Sequence, residues 1–188
     1  MQKRHRIFIA INLPPEVRQF LSRYEKKWPE LGGKWVTEYN LHITLAFLVE
    51  LNDQELGEVC MAVKNAVRGH QSFEVVLNRV CYGPENKIPP RMVWAVGEKN
   101  HPLSDMKRAI ENALMEKIHF VKDKKSFSPH VTLARLSAFL WRSIEPEERP
   151  EVAESLELVF TVQSVEVMES ELKKGGPVYQ VIESFHLE

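Results

Sequence analysis

The sequence predicts an α+β fold whose sheet is mostly antiparallel, with helices outside it. Two observations predict this. Short runs rich in β-branched and aromatic residues alternate with apolar residues at helical spacing, and strand-like runs repeatedly follow one another closely enough to form hairpins. A third observation bears on organisation: the seven-residue window 42–48 returns almost unchanged at 130–136.

Taken in order, Arg6 to Ile11 reads as a buried strand. Pro14 and Pro15 open a helix, with Val17, Phe20, Leu21, Tyr24 and Trp28 at helical spacing, and Pro29, Gly32 and Gly33 end it. Leu41 to Leu48 is a second strand. Asn52 with Glu55 forms a capping-box pattern ahead of a helix carrying Leu56, Val59, Cys60, Val63 and Val67. Phe73 to Tyr82 and Arg91 to Val96 read as strands. Leu103, Met106, Ile110, Ala113 and Leu114 mark a helix to about Ile118. A strand at His130 to Leu136 precedes an acidic, proline-containing stretch near Glu145 to Glu154. Three closing strands follow at 156–162, 165–168 and 178–186. With 188 residues and no linker long enough to separate independent units, residues 1–188 are expected to form a single domain.

Lys and Arg total 25 against 26 Asp and Glu, for a net charge of -1. That balance disfavours a protein that coats long nucleic acid or an anionic membrane. The only cysteines, Cys60 and Cys81, make no CxxC pair and no disulfide framework, so a reducing, cytoplasmic setting is expected. No run approaches the roughly 18 apolar residues of a membrane span, and the N-terminus lacks a signal-peptide core.

His42-Ile43-Thr44-Leu45-Ala46-Phe47-Leu48 and His130-Val131-Thr132-Leu133-Ala134-Arg135-Leu136 agree at five of seven positions. The chain has seven histidines but four threonines, and two of those threonines lie two residues after a histidine. Chance at this composition predicts roughly 0.15 such pairs. A lone His-x-Thr is ordinarily incidental, but a repeated one in the same apolar frame signals duplication. Strand geometry puts residues i and i+2 on one face, so His42 projects with Thr44 and His130 with Thr132. Halves related by a pseudo-two-fold axis would let both pairs converge on one cleft.

Two imidazoles with ordinary pKa values near 6.5 can divide acid and base work near pH 7. Threonine hydroxyls beside them suit the non-bridging oxygens of a phosphate. This equipment serves metal-free, in-line cleavage of a phosphodiester, above all a strained cyclic one. A zinc centre would need a third or fourth ligand near the motifs, and neither supplies one.

At these residues the chain resembles the two-histidine phosphoesterases, specifically the LigT-like RNA 2′,3′-cyclic phosphodiesterases. Leu41-His42-Ile43-Thr44-Leu45 and Pro129-His130-Val131-Thr132-Leu133-Ala134-Arg135 carry the likeness, and 91–94, 176–179 and the opening strand into Leu13-Pro14 extend it. The resemblance implies a bilobal fold, two pseudo-symmetric lobes around a central cleft, and no cofactor. It implies hydrolysis of RNA or nucleoside 2′,3′-cyclic phosphates to 2′-phosphomonoesters. His42 would be the proton donor to the leaving 3′ oxygen, His130 the base that activates water, and Thr44 and Thr132 the phosphate ligands. Arg135 would contact the phosphate and Phe47 the base. The expected partners are RNA 3′ ends or small 2′,3′-cyclic nucleotides, handled by a monomer with no membrane attachment. Two alternatives accompany this reading: RNA 2′-5′ ligation as the physiological direction, or a non-catalytic protein that binds RNA ends or nucleotides.

Phe47 and Arg135 share an odd offset, five residues from their histidines. Strict alternation would turn both away from the histidine face unless each strand bulges, and core packing competes with base stacking for Phe47. An Arg within an apolar strand calls for an anion partner. The remaining histidines, His5, His70, His101, His119 and His186, are expected at surfaces or strand ends, and Trp35 and Trp94 in the core. Lys122, Lys124, Lys125, Lys173 and Lys174 read as solvated loop charge, with a lesser claim to steering RNA.

Overall fold

A computed structural model describes residues 3–85, 87–122 and 127–188. Its strands are β1 (His5–Asn12), β2 (Gly33–Trp35), β3 (His42–Leu51), β4 (Phe73–Gly83), β5 (Met92–Gly97), β6 (His130–Leu136), β7 (Ala153–Val162), β8 (Ser164–Lys173) and β9 (Gly176–His186). The α-helices are α1 (Pro15–Ser22), α2 (Asp53–Val67), α3 (His101–Lys117) and α4 (Ala138–Ser143).

Helix starts follow from local chemistry. Asn52 and Glu55 form the reciprocal capping box at α2: the Glu55 N–H donates to Asn52 Oδ1 at 2.9 Å, and the Asn52 N–H to Glu55 Oε2 at 2.8 Å. Asn100 Oδ1 accepts from the Leu103 N–H to start α3. The first helix is shorter than its apolar spacing suggests. It ends at Ser22 and tightens into a 3₁₀ turn over Arg23–Lys26, which still buries Tyr24. Two elements were not expected, β2 and α4, each too short to carry a periodic signal.

All nine strands of the described residues join one sheet in the order β7-β4-β5-β6-β3-β1-β8-β9, with β2 added on β6. Every pairing among the described residues is antiparallel. The two motif strands are thus neighbours at the middle of the order, joined through Ile43 opposite Val131. Past that pair β2 takes the place of β3 along β6, with Lys34 opposite Arg135.

One face of the sheet is sealed by helices. Ile7, Ile9, Ile11, Ile43, Leu45, Val131, Leu133 and Val93 form one buried cluster with Val17 and Leu21 of α1, Val59 and Val63 of α2, and Leu103, Met106 and Ile110 of α3. Cys60 packs in this cluster, as its helical register suggested. Among the described residues the opposite face holds a small cluster, Phe8, Ala10 and Met168 with Tyr179 against it. Polar side chains can therefore stand open on that second face, and both motif histidines do. Among the described residues no helix is long and apolar enough to cross a membrane.

Candidate active site

β3 and β6 present His42 with Thr44 and His130 with Thr132 to the open face, while Ile43, Leu45, Val131 and Leu133 enter the core. The antiparallel pairing through Ile43 and Val131 sets His42 toward the Thr132 side and His130 toward the Thr44 side. The four polar side chains thus form a patch in which each histidine has a threonine from either strand nearby.

Both motifs contain the same irregularity. Along β1, Ile9 lies opposite Ala46 but Ala10 lies opposite Thr44, so Leu45 is an extra residue in β3. Along β5, Val93 lies opposite Ala134 but Trp94 lies opposite Thr132, so Leu133 is the equivalent extra residue in β6. Each bulge buries two consecutive residues and resets the alternation. Windows 42–48 and 130–136 consequently share one burial sequence: half-buried, buried, half-buried, buried, buried, exposed, half-buried. Phe47 and Arg135 emerge on the histidine face, which regular alternation forbids. Phe47 is 70% exposed, so it does not pack in the core. Arg135 is exposed as well, and has no need of a buried counter-ion.

The imidazoles are anchored alike. His42 Nδ1–H donates to the carbonyl of Asn40 at 2.7 Å, and His130 Nδ1–H to the carbonyl of Ser128 at 3.0 Å. In each case the acceptor lies two residues before the ring. This leaves Nε2 as the working nitrogen. At His42 it meets Thr44 Oγ1 at 3.0 Å, and the hydroxyl donates to it when the ring is neutral.

The surroundings differ. His42 lies among Phe8 (ring centroids 5.0 Å apart) and Tyr179 (5.3 Å, edge-on), and Phe8 also approaches Phe47 at 6.3 Å. His130 lies against Trp94 at 4.2 Å, and the Trp94 indole N–H points to Met92 Sδ. Burial lowers the pKa of both histidines, partly countered by their backbone acceptors, and at His42 the nearby Arg135 and His130 lower it further. A groove of about 470 Å³ lined by Asn78, Arg79, Val96, Gly97, Ser128 and Ser155 begins beside His130, whose ladder partner is Val96. Among the described residues no group of three or more His, Cys, Asp or Glu is arranged to hold a metal ion.

The structure therefore places all six residues singled out in the sequence on one face of the sheet: His42, His130, Thr44 and Thr132 where β3 meets β6, with Phe47 and Arg135 toward opposite ends of that pair. It also adds Trp94, which is half-buried against His130 and not in the core, together with Phe8 and Tyr179. The only signal for Tyr179 in the sequence was its place in the closing segment 176–179. His5 lies at a strand end, as expected, starting β1, but it is 6% exposed and bonded to two carboxylates. Lys124 and Lys125 lie outside the described residues.

The family described as LigT like Phosphoesterase matches residues 7–94 and 96–179. A protein of Thermus thermophilus named RNA 2′,3′-cyclic phosphodiesterase is 35% identical over 188 residues, spanning 97% of this chain and 90% of its own. A protein of Thermotoga maritima with the same name is 28% identical, spanning 94% of this chain and 92% of its own. A solved structure from Thermus thermophilus superposes with a TM-score of 0.82 at 30% identity, covering 97% of both chains. LigT of E. coli with 3′-AMP shares the fold, at a TM-score of 0.79 and 22% identity over 98% of this chain and 99% of its own.

Proposed function

The chain belongs to the LigT-like phosphoesterase family, and on that premise we propose that it hydrolyses the 2′,3′-cyclic phosphate at an RNA 3′ end, leaving a 2′-phosphomonoester. The observation that carries the reading is the pair of equivalent histidines, each held at Nδ1 by a backbone carbonyl so that Nε2 is left to work, with Thr44 bonded to it at His42.

In this mechanism water attacks phosphorus and the bond to the 3′ oxygen breaks. His130 takes the proton from water at Nε2, and His42 delivers a proton from Nε2 to the departing 3′ oxygen. One proton enters one ring and one leaves the other, so solvent exchange restores the starting state. Thr44 and Thr132 donate hydrogen bonds to the non-bridging oxygens, Arg135 meets their charge, and exposed Phe47 offers a face for the base. An incoming phosphate anion also counters the burial that lowers the pKa of both imidazoles. RNA ends and small cyclic nucleotides both fit a site open on one side. The net charge of -1 and two free cysteines fit a cytoplasmic protein acting as a monomer on such ends.

An oligonucleotide ending in a 2′,3′-cyclic phosphate should gain one water in mass and yield a 2′-phosphate. His42→Ala and His130→Ala should each lower the rate about 10²- to 10⁴-fold with circular dichroism unchanged. Full activity in both variants would refute the assignment.

A further inference from the structure

Lys34 lies opposite Arg135 in the β2–β6 ladder, so its side chain leaves the sheet on the histidine face. Its ammonium crosses to the turn between β8 and β9 and donates to the Gly175 carbonyl at 2.6 Å. That turn belongs to the other side of the seam between β3 and β6. β8 pairs with β1, β9 sets Tyr179 against His42, and the Pro177 carbonyl accepts from Asn40 Nδ2. Lys34 thus spans the site at its His42 end. The turn is shaped for it: Gly176 adopts φ +123°, and a Cβ there would fall 2.2 Å from Lys34 Nζ.

Charge accumulates here without neutralisation. Among the described residues, Lys34, Arg135 and Lys174 have no carboxylate within ion-pair distance, whereas Lys173 is paired with Glu171. The chain as a whole carries -1, so this local excess is not a reflection of overall composition. A lysine bonded to one carbonyl has further N–H donors for an anion. A cyclic phosphate brings one negative charge, which Arg135 with Thr44 and Thr132 can meet. Lys34, an additional cation beside Arg135, points to a second anion, and Lys174 adds exposed positive charge to the turn that Lys34 reaches. An RNA chain that ends in a 2′,3′-cyclic phosphate continues only through its 5′ oxygen, so the next anion is the phosphodiester on that side.

We propose that Lys34, beside Arg135, forms with Lys174 of the turn it reaches a second anion subsite that takes the phosphodiester on the 5′ side of the terminal nucleotide, and so distinguishes an RNA end from a free nucleoside cyclic phosphate. The proposal rests on the reading of the His42–His130 site as a cyclic phosphodiesterase.

Two substrates separate the two ideas: adenosine 2′,3′-cyclic phosphate, and the same compound carrying a 5′-phosphate. The native chain should favour the second by about five- to tenfold in kcat/KM at low salt, and its dependence on log salt should be steeper by about 0.7 to 1. In the double variant Lys34→Gln/Lys174→Gln that ratio should fall to near one and the two salt slopes should coincide. A ratio near one in the native chain, or an unchanged ratio in a folded double variant, overturns the subsite while leaving the hydrolase intact. Failure of the native chain to cleave either compound overturns both.

Discussion

His42 and His130 have equivalent anchors and unequal company, and the difference is readable in a pH profile. Burial holds both pKa values below the ordinary 6.5, and Arg135 adds a repulsive charge at His42. Because kcat/KM reports the free protein, its bell should peak below pH 6.5. Replacing Arg135 by Met removes a charge that disfavours the His42 imidazolium, so the His42 pKa should rise. One limb of the bell should then move to higher pH while the other stays, and kcat/KM should fall overall. Ring-carbon NMR titration of His42 checks the sign directly, and a downward shift would contradict the placement of Arg135 beside it. The histidines and threonines were legible in the sequence because duplication is a pattern within one chain. Trp94, Phe8 and Tyr179 were not, because an aromatic in a strand looks the same whether its neighbour is a leucine or an imidazole.

Elements explain what residue patterns miss. The rule that i and i+2 share a face placed His42 with Thr44, but it left Phe47 and Arg135 facing the wrong way until the bulges at Leu45 and Leu133 reset both strands. A bulge depends on the partner strand's register, so the sequence could only name it as one of two options. The strand β2 has three residues and no alternation to detect, yet it brings Lys34 to Arg135. His5 shows a further role for element contacts. Its Nε2 meets Asp53 Oδ1 at 2.9 Å and its Nδ1 meets Glu169 Oε1 at 2.7 Å, tying the start of β1 to the start of α2 and to β8. The hydrogen bond to Asp53, then that to Glu169, raises the His5 pKa against the desolvation that lowers it. A raised histidine pKa contributes stability that is complete below pH 6.5 and is lost as pH climbs through the higher folded value. His5→Gln should therefore cost about 1–2 kcal/mol at pH 6 and distinctly less at pH 9. Urea midpoints of both proteins at the two pH values test this, and a pH-independent gap would rule out the charged clamp.

Across the whole molecule, the two sides of the seam are assembled differently. The strands β4, β5, β6 and β7, with α3 between β5 and β6, come from the unbroken span 73–162. On the other side, β3 and β1 from the start of the chain pair with β8 and β9 from its end, and Ile7 lies opposite Glu169, 162 positions later. Closing so long a loop costs entropy before any contact compensates, so this side should order late. The active site, which straddles the seam, would then appear only in the last folding step. Val93 in β5 and Val167 in β8 are both fully buried, and Val→Ala at either should destabilise by about 2 kcal/mol. The cost should fall on different rates. On this order of assembly β4–β5 pairing precedes the transition state, so Val93→Ala should slow refolding. Val167→Ala should leave refolding nearly unchanged and speed unfolding, because the β1–β8 ladder forms after it. Chevron plots of the two variants decide the matter. A Val167 variant that refolds slowly, beside a Val93 variant that mainly unfolds fast, would mean that the chain ends meet first and the central span assembles on them.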